Sequence, residues 1–367
     1  MRTDNTIRAF FALIQGGLWN RDVKLRQFGN IDFADVMRLA EEQSVVGIVT
    51  AGIEHVSDVS IPKEITLQFI GQTLQLEQQN TAMNGFIAGL IDDMRKSGIY
   101  TLLVKGQGLA QCYEKPLWRA CGDVDLLLSD DNYQKAKDFL LPKASFTEAE
   151  ELFKKHLGLT VNEWLVELHG SLRCGFSKRV DQALDRIYKN TFYGGNVRSW
   201  ENNNVQIFML SKENDLIYIF VHFLNHFYKG GVGIRQICDW CRFLWTYRDA
   251  LVIDKVDSHL RGMGLMSEWK AFGAYAVEYL GMPTEAVPFY SSEEKWERKA
   301  IRIQDFIIKT GNMGHNRGAG VVNHSFLQRK VSSLGQRVGD LINHASIFPM
   351  DTLRFFPSIM LNGFRQK

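Results

Sequence analysis

Residues 104–128, VKGQGLAQCYEKPLWRACGDVDLLL, contain the pattern that decides the fold. Asp123 and Asp125 are separated by one residue and run into an apolar stretch, Leu126–Leu128, which is typical of a strand entering a buried sheet. Because strand side chains alternate between faces, both carboxylates project from one face while Val124 points into the core. Two strand steps place their Cβ atoms roughly 6.5–7 Å apart, close enough to share divalent cations. Since Mg²⁺ is typically held by one or two carboxylates and substrate phosphates, the pair predicts phosphate chemistry.

Two flanking segments support this interpretation. Upstream, residues 99–104 (IYTLLV) favour a strand that ends at the glycine turn Lys105–Gly108, and a short helix is expected to start at Leu109. Glycine lets the backbone approach a ligand closely, and a helix N-terminus offers free N–H groups to an anion. Downstream, the alternating stretch WLVELH places Glu167 and His169 on one strand face and supplies a third carboxylate.

Each of these pieces also has a purely structural alternative. A D-x-D pair occurs at solvated strand ends, and a G-x-G turn joins a strand to a helix without any ligand. A glutamate on a half-buried strand is commonly an ordinary exposed residue. The order and spacing of all the pieces together favour one shared site.

Together the pieces resemble the nucleotidyltransferase superfamily of the polymerase-β type, in particular a branch of uncharacterised bacterial nucleotidyltransferases. That branch shows a K-G turn, a Tyr-x-x-Pro-x-x-Arg stretch, a D-[IV]-D-L-L strand and an E-L-H strand. The corresponding segments here are Lys105-Gly106, Tyr113 through Pro116 to Arg119, Asp123 to Leu127, and Glu167 to His169. The resemblance covers about residues 99–170.

The resemblance implies an α+β fold, in which a small mixed β-sheet core is flanked by N-terminal and C-terminal helical regions. It also implies a metal-dependent enzyme that moves an NMP from an NTP, such as ATP, to a hydroxyl of an unidentified acceptor and releases pyrophosphate. Asp123, Asp125 and Glu167 are then expected to be catalytic and to bind Mg²⁺, with Mn²⁺ as an alternative. For His169, a role in orienting Glu167 is favoured over a role as a base. The expected nucleotide contacts are Lys105, Gly106, Gln107, Gly108 and Arg119.

The glycine turn departs from the common superfamily pattern. Many members carry a serine or another small residue directly after the glycine, where this chain has Gln107, which can still donate an amide N–H. The departure favours an alternative in which the fold persists as a catalytically weak or inactive binding or regulatory module. Replacing both Asp123 and Asp125 with asparagine discriminates the two, because an enzyme loses turnover whereas a binding module retains its partner.

The composition is ordinary for a globular protein. The 367 residues are 45% hydrophobic and 23% charged, with a formal net charge of +2. This balance gives no global case for a nucleic-acid binder and argues against a long RNA as acceptor. A small-molecule acceptor is favoured over protein or RNA. No run reaches the roughly 18 apolar residues of a membrane span, so we expect a cytoplasmic protein without membrane association. The five cysteines argue against a disulfide framework, and helix packing is favoured over zinc or redox chemistry for Cys238 and Cys241.

Three regions are expected along the chain. Residues 1–98 favour an N-terminal helical region, residues 99–210 a nucleotidyltransferase-like α/β core, and residues 211–367 a C-terminal helical domain. Within the core, a hairpin is expected around Asn162-Glu163.

The C-terminal region contains three further candidates. His222 and His226 lie one helical turn apart, but a shared metal is disfavoured because no third ligand accompanies them. Arg235 and Asp239 are also one turn apart, and a helical salt bridge is favoured over a place in the wall of a substrate cleft. The glycine-rich segment 311–318 is interpreted as a connector, with a phosphate contact from its Arg317 as the alternative.

Overall fold

The structure is a computed structural model that describes residues 4–312, 339 and 341–365. Its helices are α1 (Asp4–Trp19), α2 (Phe33–Glu42), α3 (Val46–Ile53), α4 (Lys63–Lys96), α5 (Gly106–Ala110), α6 (Asp130–Leu140), α7 (Lys178–Gly194), α8 (Lys212–Lys229), α9 (Ile234–Tyr247), α10 (Ile253–Met263), α11 (Met266–Leu280), α12 (Glu294–Thr310) and α13 (Pro349–Arg365). Its strands are β1 (Thr101–Val104), β2 (Asp123–Leu128), β3 (Ala144–Thr147), β4 (His156–Val161), β5 (Trp164–His169), β6 (Val197–Asn202) and β7 (Val205–Leu210). The expected α+β class, with a small mixed sheet flanked by helices, is confirmed.

Five strands form a mixed sheet in the order β1-β2-β5-β4-β3, and β6 pairs with β7 in a separate two-stranded sheet. Strands β2 and β5 run parallel, and the other neighbours in the large sheet run antiparallel. The predicted hairpin is confirmed, because Val161 pairs with Trp164 and Asn162 takes the positive φ of 54° that such a two-residue turn requires.

The two faces of the large sheet have different partners. On one face Val124, Leu126, Val166 and Leu168 are buried in a hydrophobic cluster that also contains residues of α4 and α6. Because strand side chains alternate, the opposite face carries Asp123, Asp125, Glu167 and His169. This second face is also packed in part, because Leu127 lies on it and is fully buried in the larger hydrophobic cluster.

Strand β1 and helix α5 are joined by a tight turn. Helix α4 ends at Lys96, and Gly98, with a φ of 72°, follows its C-cap Ser97 before β1 begins. Helix α5 begins at Gly106, three residues before the predicted start at Leu109, so that prediction is wrong. The cause is Lys105, which adopts a φ of 57° and a ψ of −144° and turns the chain directly from strand into helix.

The N-terminal and C-terminal helices contribute to one large hydrophobic cluster. Phe10 of α1 and Trp240 of α9 belong to it, for example, and both are fully buried. Cys238 and Cys241 are also fully buried in this cluster and are free thiols, so the predicted packing role is confirmed. None of the described helices is long and apolar enough to cross a membrane.

Candidate active site

Three carboxylates converge on the polar face of the large sheet. Asp123 and Asp125 lie on β2, and the parallel pairing of β2 with β5 sets Asp125 directly opposite Glu167. One carboxylate oxygen from each of the three residues lies within 4.8 Å of the others. Asp125 is 1% exposed, whereas Asp123 and Glu167 are half-buried. The structure thus brings together the three acids that strand alternation placed on one face.

The electrostatics of this acidic cluster favour a cation. The charge of Asp125, followed by burial, raises the pKa of Asp123, although Lys105 acts in the opposite direction. The positive charge already present therefore does not fully offset the repulsion between the carboxylates. Because carboxylate oxygens are the ligands that Mg²⁺ and Mn²⁺ prefer, the donor set of Asp123, Asp125 and Glu167 fits such an ion.

Lys105 reaches into the cluster from the end of β1. Its Nζ lies 2.7 Å from Oδ1 of Asp125. Burial lowers the pKa of the ammonium group, but the charges of Asp125, Asp123 and Glu167, together with Tyr218, outweigh burial and raise the pKa above its ordinary value. The side chain owes this position to the positive φ of its own backbone, a conformation that is found mainly where the surroundings enforce it.

Two histidines form hydrogen bonds with two of the three acids. The Nε2 atom of His169 lies 2.7 Å from Oδ1 of Asp125 and 3.4 Å from Oε2 of Glu167. The Nε2 atom of His156 lies 3.1 Å from the same Oε2 of Glu167. Burial favours the neutral form of Glu167, but the hydrogen bonds to His156 and His169 and the charge of Lys105 together hold its pKa well below the usual range. Glu167 is therefore ionised at neutral pH.

The sequence prediction included His169 but missed His156. The signal that reveals His156 is the register of the predicted hairpin around Asn162-Glu163, since counting outward from that turn sets His156 opposite His169. The two imidazole rings lie 4.8 Å apart between centroids.

A first cavity of about 140 Å³ opens between the acidic cluster and helices α8 and α9. Its lining includes Lys105, Gly106, Asp123, Asp125 and Glu167 from the sheet side, and Ile219, His222, His226, Arg235 and Asp239 from the helices. The Nε2 atoms of His222 and His226 are 3.1 Å apart. Burial, and then the charge of Lys105, lower the pKa of His222 well below its ordinary value and that of His226 to about 4. These imidazoles are neutral at pH 7.

A second cavity, of about 230 Å³, lies on the other side of Lys105 and Glu167. It shares Lys105, Glu167, His222 and His226 with the first cavity. The remainder of its lining includes His156, His169, Ser171, Cys174, Tyr218 and Asn225. Lys105 and Glu167 therefore border two spaces, of which only the first is in contact with Asp123 and Asp125.

Arg119 lines the first cavity and is held by Asp239 of α9. The guanidinium group binds the carboxylate through Nε at 3.0 Å and Nη2 at 2.6 Å, and the hydroxyl of Tyr113 donates to the same carboxylate at 2.8 Å. Arg235 instead donates from Nη1 to the carbonyl oxygen of Ala120. The predicted salt bridge between Arg235 and Asp239 is therefore wrong, because Asp239 binds Arg119 instead. Arg235 and Asp239 both line the first cavity.

The four residues of the glycine turn separate into two pairs. Lys105 and Gly106 line the first cavity. The side chain of Gln107 is 1% exposed and donates its amide to Oδ1 of Asn80 at 2.7 Å. A Cβ atom on Gly108 would lie 2.7 Å from Sδ of Met209, so this glycine packs against β7. A phosphate contact from Gln107 or Gly108 would therefore have to come from the main chain.

The glycine-rich segment is described only in part. Gly311 and Asn312 are described, and the amide of Asn312 donates to Oγ of Ser44. Arg317, the candidate phosphate contact, lies outside the described residues.

A mixed sheet that presents three convergent carboxylates beside a glycine turn is the arrangement that the resemblance to nucleotidyltransferases implies. The family described as uncharacterised nucleotidyltransferase matches residues 29–281, and the chain belongs to this family. The matched segment contains the acidic cluster, the glycine turn and both helices that line the first cavity. No curated protein and no solved structure matches the chain.

Proposed function

We propose that this protein is a metal-dependent nucleotidyltransferase that moves an NMP from an NTP, such as ATP, to a hydroxyl of a small-molecule acceptor and releases pyrophosphate. The observation that carries the proposal is the convergence of Asp123, Asp125 and Glu167 at a cavity, in a chain that belongs to a nucleotidyltransferase family.

The three acids would hold Mg²⁺, with Mn²⁺ as the alternative. Such ions, when bound, neutralise phosphate charge and stabilise the attacking and leaving oxygens of an in-line displacement. The raised pKa of Asp123 supports this assignment, since it reflects repulsion among the carboxylates that a divalent cation would relieve.

Lys105 and Arg119 are the proposed phosphate contacts. The ammonium group of Lys105 borders both cavities, so it is within reach of an anion in either of them. Arg119 uses Nε and Nη2 to bind Asp239, while its Nη1 has no hydrogen-bond partner within the part of the chain that the structure describes. That nitrogen is suited to donate to a phosphate oxygen, because a buried N–H without a partner is costly.

His169 is proposed as a positioning residue. Its Nε2 atom lies within reach of both Asp125 and Glu167, so one imidazole fixes two of the three carboxylates relative to each other. His156 contacts the same Oε2 atom of Glu167 at 3.1 Å. These contacts keep Glu167 ionised and oriented.

The second cavity is the proposed acceptor site. It adjoins the acidic cluster through Glu167 and combines hydroxyl and amide groups, from Ser171, Tyr218 and Asn225, that suit a polar small molecule. The near-neutral net charge supports a small acceptor over a long RNA.

The test is to incubate the protein with each labelled NTP, with Mg²⁺ or Mn²⁺, and with a cell extract, and then to follow the label. Transfer to a small acceptor that is absent with the double variant Asp123→Asn, Asp125→Asn supports the proposal. Absence of transfer together with absence of NTP binding in calorimetry, for protein whose fold is verified by circular dichroism, rejects it.

A second candidate function is that of a binding or regulatory module with weak or no catalysis. The observation in its favour is that the Gln107 side chain is used in the core, against Asn80, instead of facing the cavity. The same double variant separates the two, because a binding module keeps its partner when the acids are neutralised.

A further inference from the structure

A second cluster of potential metal ligands adjoins the acidic one. His156, Glu167 and His169 each offer one donor atom, and these three atoms lie within 4.8 Å of one another. We propose that these three residues, named here the His–Glu–His cluster, form a binding site for a divalent transition-metal ion such as Zn²⁺. This site shares Glu167 with the Mg²⁺ site proposed above, but the evidence for it does not depend on nucleotidyl transfer.

The spacing of the donor atoms matches the spacing around such an ion. Oε2 of Glu167 lies 3.1 Å from Nε2 of His156 and 3.4 Å from Nε2 of His169. Four ligands at about 2.0–2.1 Å from a tetrahedral Zn²⁺ lie roughly 3.3–3.4 Å from each other. The two measured separations are close to that value, so the ligands need little rearrangement.

The sheet holds the cluster in place. His156 of β4 is paired directly with His169 of β5, and Glu167 lies two residues before His169 on the same face. Gly158 is the partner of Glu167 across the hairpin, and the place that a Cβ atom of Gly158 would take lies 2.6 Å from Oε2 of Glu148. Ligands on paired strands keep their geometry better than ligands on a loop.

The chemistry of the donors distinguishes this cluster from its neighbour. Two imidazoles and one carboxylate are typical ligands of Zn²⁺ and of Fe²⁺, whereas three carboxylates favour Mg²⁺ or Mn²⁺. Three protein ligands also leave a coordination position open. Since His156, Glu167 and His169 all line the second cavity, that position is accessible to water or to a substrate in the cavity.

The two clusters are connected through shared atoms. Glu167 belongs to both, and Nε2 of His169 is hydrogen-bonded to Asp125 in the structure. A transition-metal ion would take this nitrogen away from Asp125. Occupancy of the His–Glu–His cluster would therefore release a carboxylate oxygen of Asp125, which makes the two clusters interdependent.

The rival site within the same cavity is the pair of His222 and His226. Their Nε2 atoms are 3.1 Å apart, which is also a spacing that a metal ion can bridge. This pair belongs to neither group of three candidate ligands found among the described residues. The experiment must therefore separate the two locations.

The experiment is a Co²⁺ titration of the full-length, chelator-treated protein, followed by visible absorption, with Zn²⁺ competition measured by calorimetry. We expect one saturable Co²⁺ site with absorption typical of imidazole ligation, displaced by Zn²⁺. Since loss of a residue that merely supports a ligand weakens metal binding by about 10–100-fold, removal of the ligand in His156→Ala should weaken Zn²⁺ binding by about 100-fold or more. His156→Gln, which can still hydrogen-bond to Glu167, should lose the site equally and guards against a folding defect.

The controls are His259→Ala, a histidine on α10 outside both cavities, and Asp123→Asn, which changes only the acidic cluster. Both should retain Co²⁺ absorption. The proposal is overturned if the absorption persists in the folded His156 variants, if it is lost in His226→Ala but kept in His156→Ala, or if the folded wild-type protein binds no Co²⁺. These readouts are independent of activity, so failure of the proposed transfer reaction would leave the result interpretable.

Discussion

Lys105 and Asp125 form a largely buried ion pair in the middle of the candidate site, with Nζ 2.7 Å from Oδ1. The pair places a protein cation on one of the carboxylates that we assign to the metal. On binding of metal and nucleotide, the ammonium group is free to shift to a phosphate oxygen, because it borders both cavities.

The first prediction follows from this pair. Lys105→Met removes a positive charge next to Asp125, so Mg²⁺ or Mn²⁺ should bind about tenfold more tightly without nucleotide. The same variant should bind the NTP more weakly, because a phosphate contact is lost. Calorimetry with metal alone and with NTP measures both effects. Lys115→Met, which removes an exposed lysine that contacts Glu54, is the matched control. Equal affinities for wild type and variant in both titrations would contradict the assignment.

The second prediction compares the two aspartates of β2. Asp125→Asn leaves the ammonium group of Lys105 without its partner, and it should lower the free energy of unfolding by about 3 kcal/mol. Asp123→Asn should instead raise the free energy of unfolding at pH 8, because it removes a carboxylate whose pKa is raised mainly by the charge of Asp125. Both variants should lose nucleotidyl transfer.

Denaturant unfolding in the presence of a chelator gives the free energies for both variants. The chelator is essential, since a bound ion would reverse the effect of Asp123→Asn. Destabilisation by both substitutions to a similar degree would argue against repulsion within the acidic cluster.

The third prediction concerns Arg119 and Asp239. Arg119→Lys replaces a two-point contact with a carboxylate by a single contact, and it should cost about 2–3 kcal/mol of unfolding free energy because the pair is buried. If Nη1 contacts a phosphate, the KM for the NTP should also rise. Arg235→Lys, which alters a contact to a main-chain carbonyl, serves as the control. A loss of stability with an unchanged KM would restrict Arg119 to a structural role.

The fourth prediction is a pH effect far from the site. Glu268 on α11 is fully buried and accepts a hydrogen bond from Tyr228 at 3.2 Å. Burial, followed by the charge of Asp351, raises the pKa of Glu268 from 4.5 to about 8. Below pH 4.5 the residue is protonated in both the folded and the unfolded state. As the pH rises from about 4.5 to about 8, the unfolded chain loses the proton first, so the folded state loses stability across this window.

Glu268→Gln mimics the protonated side chain and should remove this dependence. We expect its melting temperature to exceed that of the wild type at pH 8 and to approach it near pH 4.5. Melting curves at half-unit intervals of pH measure the difference. Parallel pH profiles for the two proteins would show that Glu268 is ionised in the folded state at neutral pH.

The polar face of the sheet was predictable because the information is local. Alternation along β2 and β5 assigns Asp123, Asp125 and Glu167 to one face, and their parallel pairing then brings them together. The turn at Asn162 was equally predictable, since a two-residue hairpin has a clear sequence pattern. Each of these inferences needs only a few neighbouring residues.

The partner of Arg119 could not be predicted, because it depends on contacts distant in sequence. Asp239 lies 120 residues away, and only the packing of α9 against the sheet side brings the two groups together. The same holds for Gln107, whose side chain finds Asn80 in the middle of α4. A local pattern shows which residues are polar, but it does not show which of them are already paired inside the protein.

The first cavity has walls from two distant stretches of the chain, the sheet side at residues 105–167 and the helices at residues 219–239. The α/β core produced by itself would therefore present its acids on an open surface, without Asp239 to hold Arg119. Such a fragment should chelate ions yet discriminate poorly among nucleotides. The short, buried connection at Ser211, between β7 and α8, is therefore the point at which ion capture and substrate choice are joined.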